Sequence, residues 1–523
     1  MDVAQQILDT VAAGGAGTVF GLPGVHNLAF WRGTPAPTVV RHEQTAVYAA
    51  DGWARTTGRL GAAVVTTGPG AANAVAAFGE AAAARSPVLL VASEIPQSLR
   101  RAGRVRGVLH ESRDQAGIFA PLAKAVFTPR TPAEVAAVVG TAVDTALAHP
   151  RGPVYLDVPA DVLGQPAAPS PAPPLAVTGT GDPGAAVPLL TGVRVVIWAG
   201  GDALDVADPV GALAAHLGAP VVASFRGRGV PPTAHPAAVG LPPHEPEVAA
   251  LIGAADVLLV VGGDLDGMNT RNWTMPRPPR LVVLDAATSV DPPEWTPDAV
   301  VTGPLDATLH ALRELVPARE PWAPTGLRAT VLGRLRTDPA TAGAIDLLDA
   351  VEHARTPETV LVCDMAVAGY WVGGYASAPA PRLLAYPVGW GTLGFALPAA
   401  LGAAAAGHPV IAVCGDGGLM MALGELATVV QERLPVTVLV VDDGGYGMLR
   451  YDQLRAGHPS SGVDLVTPDF VALAASFGLA ATAVPSMAEL REPLAAAVGS
   501  PHLLRVSSRL TPPRTTSPRW HEG

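Results

Sequence analysis

Cysteine is nearly absent from this chain of 523 residues, with only Cys363 and Cys414 present. A disulfide scaffold and a Cys-only zinc site are thereby excluded. Both cysteines end apolar runs, LVC and IAVC, as small buried hydrophobes do. Charge is sparse too. Asp, Glu, Lys and Arg make up 15% of the residues, and 34 Lys+Arg against 45 Asp+Glu leave a net −11. An acidic balance argues against a nucleic-acid partner, but not against a small anionic ligand held by a local field. No stretch reaches the roughly 18 uninterrupted apolar residues of a membrane span, so no membrane partner is expected. The opening MDVAQQILDT has an early acid and no basic segment ahead of an apolar one. No signal peptide is therefore expected, and the expected location is cytoplasmic.

Small and apolar residues are plentiful: 49% hydrophobic, with 57 Gly and 53 Pro. At roughly 150 residues per domain the length suggests about three domains. In the first block VFGLPG (19–24), AAVVTT (62–67), PVLLVAS (87–93) and PVYLDVP (153–159) read as strands. In the second, VRVVIWAGG (193–201), APVVASF (219–225), DVLLVVGG (256–263) and RLVVLDA (280–286) do so. In the third, the runs are TVLVCD (359–364), PVIAVCGDGG (409–418), PVTVLVVDDGG (435–445) and HLLRVS (502–507). Continuous apolar strands alternating with helical stretches predict parallel sheets covered on both faces. The expected fold class is α/β, with three doubly wound domains at 1–163, 185–317 and 343–510. Residues 164–184 and 318–342 are breaker-rich and expected to be linkers, and 511–523 a flexible tail. The first and third blocks could be one fold used twice.

The strongest chemical signal lies in the third block. A strand runs into Gly415-Asp416-Gly417-Gly418 and a helix follows. Glycines at such a turn let backbone N–H groups approach a phosphate. An Asp there makes sense beside a phosphate if a divalent cation sits between the two anions; an ordinary strand-to-helix turn is the other reading. Asp443 lies 27 residues after Asp416, one helix and one strand later. That spacing brings both carboxylates to one carboxyl edge of a parallel sheet, where such folds bind ligands. Two carboxylates, a carbonyl, water and phosphate oxygens suit Mg²⁺. In the first block Glu43 opens an apolar helix, beside the Gly-rich loops Gly21–Gly24 and Thr66–Asn73. In Gly389–Pro398, glycines bracket Leu393, which suits either close helix packing or a platform under a ring.

These motifs together resemble the thiamine diphosphate-dependent 2-oxo acid decarboxylase and acetohydroxyacid synthase superfamily. They are RHEQ with ADGWAR, TTGPGAAN, PVVASFRGRG, GTLGFALPAALGA, GDGG with ELATVV, and DDGGYGM. The resemblance implies a pyrimidine-binding first domain, a central domain and a diphosphate-binding third domain. It implies a cofactor held between subunits, hence a homodimer or homotetramer. It places Glu43 on the pyrimidine N1′, the carbonyl of Gly391 on the 4′-amino group, and Leu393 beneath the bent cofactor. Asp416, Asp443 and the carbonyl of Gly445 match the Mg²⁺ ligands, and Gly417 and Gly418 match the diphosphate donors. Pro23, Asn73, Gly415, Tyr446, Gly447 and Met448 complete the implied cofactor contacts. Where the superfamily usually has Asn-Asn, this chain has Asp442-Asp443. Two like charges ~5 Å apart cost about 3 kcal/mol at an effective dielectric near 20. Altered metal preference or weaker cofactor retention is therefore expected.

On the substrate side, His110 stands where yeast-type pyruvate decarboxylases carry a His pair. Val25 and Leu449 stand where those enzymes carry acids, and His26 is a neighbouring proton source. Few donors above the reacting carbon favour interception by a second carbonyl. Acetolactate synthase-like carboligation of a small 2-oxo acid is thus the expected activity. Benzoylformate-type decarboxylation is the alternative, because such enzymes also carry Leu at the position of Leu449, and an inactive subunit retaining the fold is another. Arg450, Tyr451 and Gln453 are candidates for a substrate carboxylate, or for a plain helix surface. WAGGDA (198–203) is not a full GxGxxG fingerprint, so FAD in the central domain is the less favoured expectation.

Overall fold

The computed structural model describes residues 1–101, 103–169, 182–287 and 294–514. Most of the expected 164–184 linker and of the 511–523 tail lies outside the described residues. The expected α/β class is found: three sheets whose strand pairs are all parallel.

The first sheet comprises β1 (Val19–Gly21), β2 (Thr38–Val39), β3 (Gly61–Val65), β4 (Val88–Glu94), β5 (Ala125–Phe127) and β6 (Val154–Pro159). Its order is β2-β1-β3-β4-β6-β5. The second comprises β7 (Val195–Ala199), β8 (Val221–Ala223), β9 (Val257–Val261), β10 (Arg280–Asp285) and β11 (Ala299–Thr302), in the order β11-β10-β9-β7-β8. The third comprises β12 (Val360–Cys363), β13 (Leu384–Ala385), β14 (Val410–Gly415), β15 (Val436–Asp442), β16 (Ala480–Val484) and β17 (His502–Ser507). Its order, β13-β12-β14-β15-β17-β16, repeats that of the first sheet strand for strand. The central strands β3, β4, β14 and β15 are buried along their whole length, as parallel strands covered by helices on both faces must be.

First and third blocks meet through two helices of small residues, Glu43–Thr57 and Ala396–Ala405. The contact is backbone against backbone. A Cβ on Gly52 would lie 2.0 Å from the Ala399 carbonyl oxygen, and one on Gly402 1.9 Å from that of Ala49. Only glycine allows this approach. The central block is tied to the other two by ion pairs. Arg85 meets Asp264 at 3.5 Å, Arg151 meets Asp205 at 2.9 Å, and Arg382 reaches Asp205 at 2.5 Å.

Two segments expected from their composition to connect or trail carry structure of their own. Residues 318–342 are not a plain linker. They carry the helix Leu327–Thr337, which buries Val331 and Leu335 in a core shared by the central and third blocks. Pro324, Gly326 and Pro339 flank that helix instead of interrupting it. The start of the tail is also anchored, because Trp371 donates its indole N–H to the Thr511 carbonyl at 2.8 Å. Among the described residues no helix is long and apolar enough to cross a membrane.

Candidate active site

β14 and β15 are neighbours, with Gly415 opposite Val441. The turns that leave them therefore emerge side by side, and Asp416 and Asp443 come together. The Gly445 N–H donates to Asp416 Oδ2 at 2.7 Å, so one turn is bonded directly to the other. A cavity of about 190 Å³ opens there. Gly391, Leu393, Gly415, Asp416, Gly417, Gly418, Asp443, Gly445, Tyr446, Gly447, Met448 and Leu449 all line it, with Met365 and Tyr370 adding an apolar wall. Every cofactor-site residue expected from the third block thus faces one space. The glycines are needed for packing as well: a Cβ on Gly417 would lie 2.7 Å from the Tyr446 ring. Gly389, Gly391 and Gly394 hold positive φ angles of 113°, 77° and 80°, which shape the loop carrying Leu393.

Burial pushes the Asp416 carboxyl up to about 6, and the Asp443 charge adds to it against the N–H groups of Gly417 and Gly445. Burial raises Asp443 as well, with Arg450 opposing. Two desolvated carboxylates leaning on each other are a donor set that a hard divalent cation neutralises. Among the described residues no group of three or more His, Cys, Asp or Glu is placed to hold a metal. Further ligands would have to be carbonyl, water or phosphate oxygens, as in Mg²⁺ sites.

The extra acids are compensated, which the sequence reading did not foresee. Asp442 accepts from Arg505 at 2.9 and 2.6 Å. Arg450 lies 3.5 Å from Asp443 and donates to Asp464 at 2.7 Å and to the Gly444 carbonyl at 3.1 Å. Arg450 is buried and committed to these partners, so it is not free to take a substrate carboxylate. A lone Arg within HLLRVS, beside the strand ending in Asp442, was the available signal.

The first-block candidates form a second cluster. Glu43 is the first residue of its helix, after the N-cap His42, and is buried. Asn73 donates its amide to Glu43 Oε2 at 3.0 Å. A Cβ on Gly70 would approach Glu43 Oε1 to 3.2 Å, and one on Gly24 would strike Thr66 at 2.6 Å. The loops after β1, with Pro23, Val25 and His26, and after β3 therefore close on the start of the Glu43 helix. The His26 and His110 rings meet edge to face with centroids 5.3 Å apart. Neither Nδ1 has a hydrogen-bond partner, though both are buried. Burial lowers the His26 pKa, with His110 adding to the shift. Gln115, not singled out from the sequence, accepts from the Gly68 N–H at 2.6 Å and donates to the Tyr155 hydroxyl at 2.9 Å, which fixes the loop after β3. Among the described residues none of the first block lines the third-block cavity. Val25 and Leu449 are both more than half exposed.

Comparison with known proteins finds the three blocks in the same order. Residues 1–118 match the thiamine pyrophosphate enzyme N-terminal TPP binding domain. Residues 185–312 match the central domain of such enzymes, and 364–506 the C-terminal TPP binding domain. The chain is 32% identical to the probable 2-ketoarginine decarboxylase AruI of Pseudomonas aeruginosa, over 95% of this chain and 92% of that protein. It is 29% identical to the probable acetolactate synthase large subunit of Methanocaldococcus jannaschii, over 97% and 92%. It is 28% identical to the acetolactate synthase isozyme 3 large subunit of Escherichia coli, over 95% and 92%. With all three domains present in order and such likeness along nearly its whole length, the chain belongs to the thiamine pyrophosphate enzymes, in the superfamily of 2-oxo acid decarboxylases and acetolactate synthases.

Proposed function

We propose that the protein is a Mg²⁺- and thiamine diphosphate-dependent decarboxylase of a 2-oxo acid, assembled as a homodimer or a dimer of dimers. The observation that carries the cofactor assignment is the single cavity shared by Gly391, Leu393, Asp416, Asp443 and Gly445. In this reading Asp416, Asp443 and the Gly445 carbonyl hold Mg²⁺. The N–H groups of Gly417 and Gly418 meet the diphosphate. Bound thiamine diphosphate supplies a carbon nucleophile and an electron sink for loss of CO₂. Glu43 holds a proton at the pyrimidine N1′, with Asn73 orienting its carboxylate. Among the described residues none of the first block lines the cavity, which supports a Glu43 contributed by a second copy. The exposed apolar side chains Val25, Leu28 and Leu109 on one half, and Trp390, Met421 and Leu449 on the other, support the same assembly.

The sequence reading favoured carboligation because proton donors looked scarce. The His26–His110 pair, with both Nδ1 atoms unpartnered, supports aldehyde release instead, since imidazoles can deliver the proton that ends the reaction. Carboligation is the second reading, supported by the apolar Val25 and Leu449 and by the acetolactate synthase relatives. No flavin is included. At the carboxyl edge of the second sheet Arg226 already pairs with Asp264 at 2.5 Å and His149 with Asp202 at 3.3 Å. The test is chromatography of products from the Mg²⁺- and cofactor-loaded protein. Substrates would be pyruvate, longer aliphatic and aromatic 2-oxo acids, and 2-ketoarginine. Free aldehyde is expected; 2-hydroxy ketones as main product would favour carboligation, and no turnover of any of them would end the proposal.

A further inference from the structure

The loop Gly389–Phe395 is held from two sides by buried carboxylates. Asp364 follows the last residue of β12 and is almost fully buried. Its Oδ1 accepts from the N–H of Met365 at 2.9 Å, Gly394 at 3.0 Å and Phe395 at 3.4 Å. Its Oδ2 accepts from Gly394 at 3.1 Å. Burial pushes this carboxyl up to about 6 against the pull of those N–H groups. From the other side, Glu80 of the first block is fully buried and accepts from the Thr392 hydroxyl at 3.2 Å. Glu80 is itself held by Arg55 at 3.0 Å, and Arg55 also bonds Asp51 at 2.7 Å and lies 4.8 Å over the Phe395 ring. Trp390 packs on Gly79, where a Cβ would come within 2.7 Å of the indole.

Thr392 lies between Gly391 and Leu393, the two loop residues that reach the cavity. Acceptors on both sides of so short a segment remove its freedom to slide. A glycine-rich loop would otherwise sample many conformations, since each glycine is permissive. The buried carboxylates are costly to desolvate; backbone N–H groups offset that cost at Asp364, and the Arg55 guanidinium with the Thr392 hydroxyl offsets it at Glu80.

We propose that Asp364 and Glu80 are positioning residues that clamp the Gly389–Phe395 loop and so set where Gly391 and Leu393 stand against the bound cofactor. The proposal rests on the reading that the cavity takes thiamine diphosphate. It adds that the first block of a chain shapes the cofactor platform of that same chain through Glu80.

The test uses the full-length protein with Asp364→Asn, Glu80→Gln and Thr392→Val, the last removing the hydroxyl at nearly constant volume. In cofactor-free protein, amide hydrogen exchange at Gly394 and Phe395 is expected to quicken at least about tenfold in Asp364→Asn. Exchange at Ile411 and Val438, within the core strands, should stay unchanged. With thiamine diphosphate and Mg²⁺ as probe, Thr392→Val and Glu80→Gln should bind within about threefold of wild type. Hydrogen exchange at the cofactor C2 should nevertheless slow by roughly 10- to 100-fold, the cost of a misplacement near 1 Å. A role in folding alone would shift binding and stability without this split. Unchanged amide exchange in Asp364→Asn, or C2 exchange in Thr392→Val equal to wild type, would overturn the clamp. Where Asp364→Asn fails to fold, Thr392→Val decides. A wild-type protein that binds no cofactor overturns the underlying reading instead, while amide exchange still reports on the contact itself.

Discussion

The Asp443 carboxylate lies 3.5 Å from the guanidinium of Arg450, which also bonds Asp464 and the carbonyl of Gly444. This pairing answers the excess charge of the Asp442-Asp443 sequence. Arg450→Met should leave Asp443 unopposed beside an anionic ligand and weaken Mg²⁺-dependent thiamine diphosphate binding about tenfold, or ~1.4 kcal/mol. Adding Asp443→Asn should return affinity to within about threefold. Equilibrium binding checks this, and a single variant that binds like wild type would show that the arginine only braces the loop.

Glu43 is buried at a helix start with one amide partner, Asn73. Glu43→Gln keeps the shape and removes the acid. Turnover should fall by about 10²–10⁴-fold, the usual worth of a proton-transfer group. Thermal midpoint and diphosphate affinity should change little. Retained turnover would refute the assigned role.

Acid should release the metal. The Asp416 pKa is raised to about 6, so at pH 5 the site is mostly protonated and cannot ligate. Cofactor affinity at fixed Mg²⁺ should therefore fall as pH drops through about 6, approaching tenfold per unit below it. Stability of the cofactor-free protein moves the other way. A folded pKa above the unfolded value of 3.8 means that this group's contribution is most favourable below pH ~4 and is lost as pH rises through about 6. Isothermal titration and thermal melts across pH 4–8 test both signs.

Asp157 sits within β6 of the first sheet, 1% exposed, with Arg130 no nearer than 3.8 Å. Burial and then the Glu94 charge push it up to about 7. Asp157→Asn should stabilise the protein by roughly 2 kcal/mol at pH 8. The gain should shrink as pH falls through about 7 and vanish near pH 3, below the unfolded value of 3.8, where the acid is protonated in both states. Denaturant melts at the two pH values measure it; an equal gain at both would point to packing instead of charge.

At the helix crossing between first and third blocks, Gly402→Ala would drive a methyl group to 1.9 Å from the Ala49 carbonyl oxygen. A backbone atom cannot yield cheaply, so a loss of about 2–4 kcal/mol is expected. Gly140→Ala, in a helix where an added Cβ meets nothing within 4 Å, is the control and should be neutral or slightly stabilising. Calorimetry of both variants decides, since equal melting points would mean that the crossing adapts.

The twelve strands legible in the sequence are the ones with continuous apolar runs. The five that were not, β2, β5, β11, β13 and β16, all lie at sheet edges. Edge strands are short and half-covered, so they lack the apolar run that marks a central strand. The helix within 318–342 was not legible for a related reason: Pro and Gly residues bound it, and composition alone does not separate a cap from a break.

The amino-acid order by itself determined where the chemistry would be. Two apolar strands of similar length, β14 and β15, each followed by a glycine turn, bring Asp416 and Asp443 to one sheet edge. It also determined that Glu43 would head a helix beside two glycine loops. Tertiary structure alone decided what surrounds those groups. Arg450 and Arg505 against the paired acids, His26 against His110, and Asp364 and Glu80 around the Leu393 loop are contacts between segments far apart in the chain or on different elements. They form because buried charges must find partners once the sheets and helices have packed, and sequence spacing carries no record of which partner is nearest.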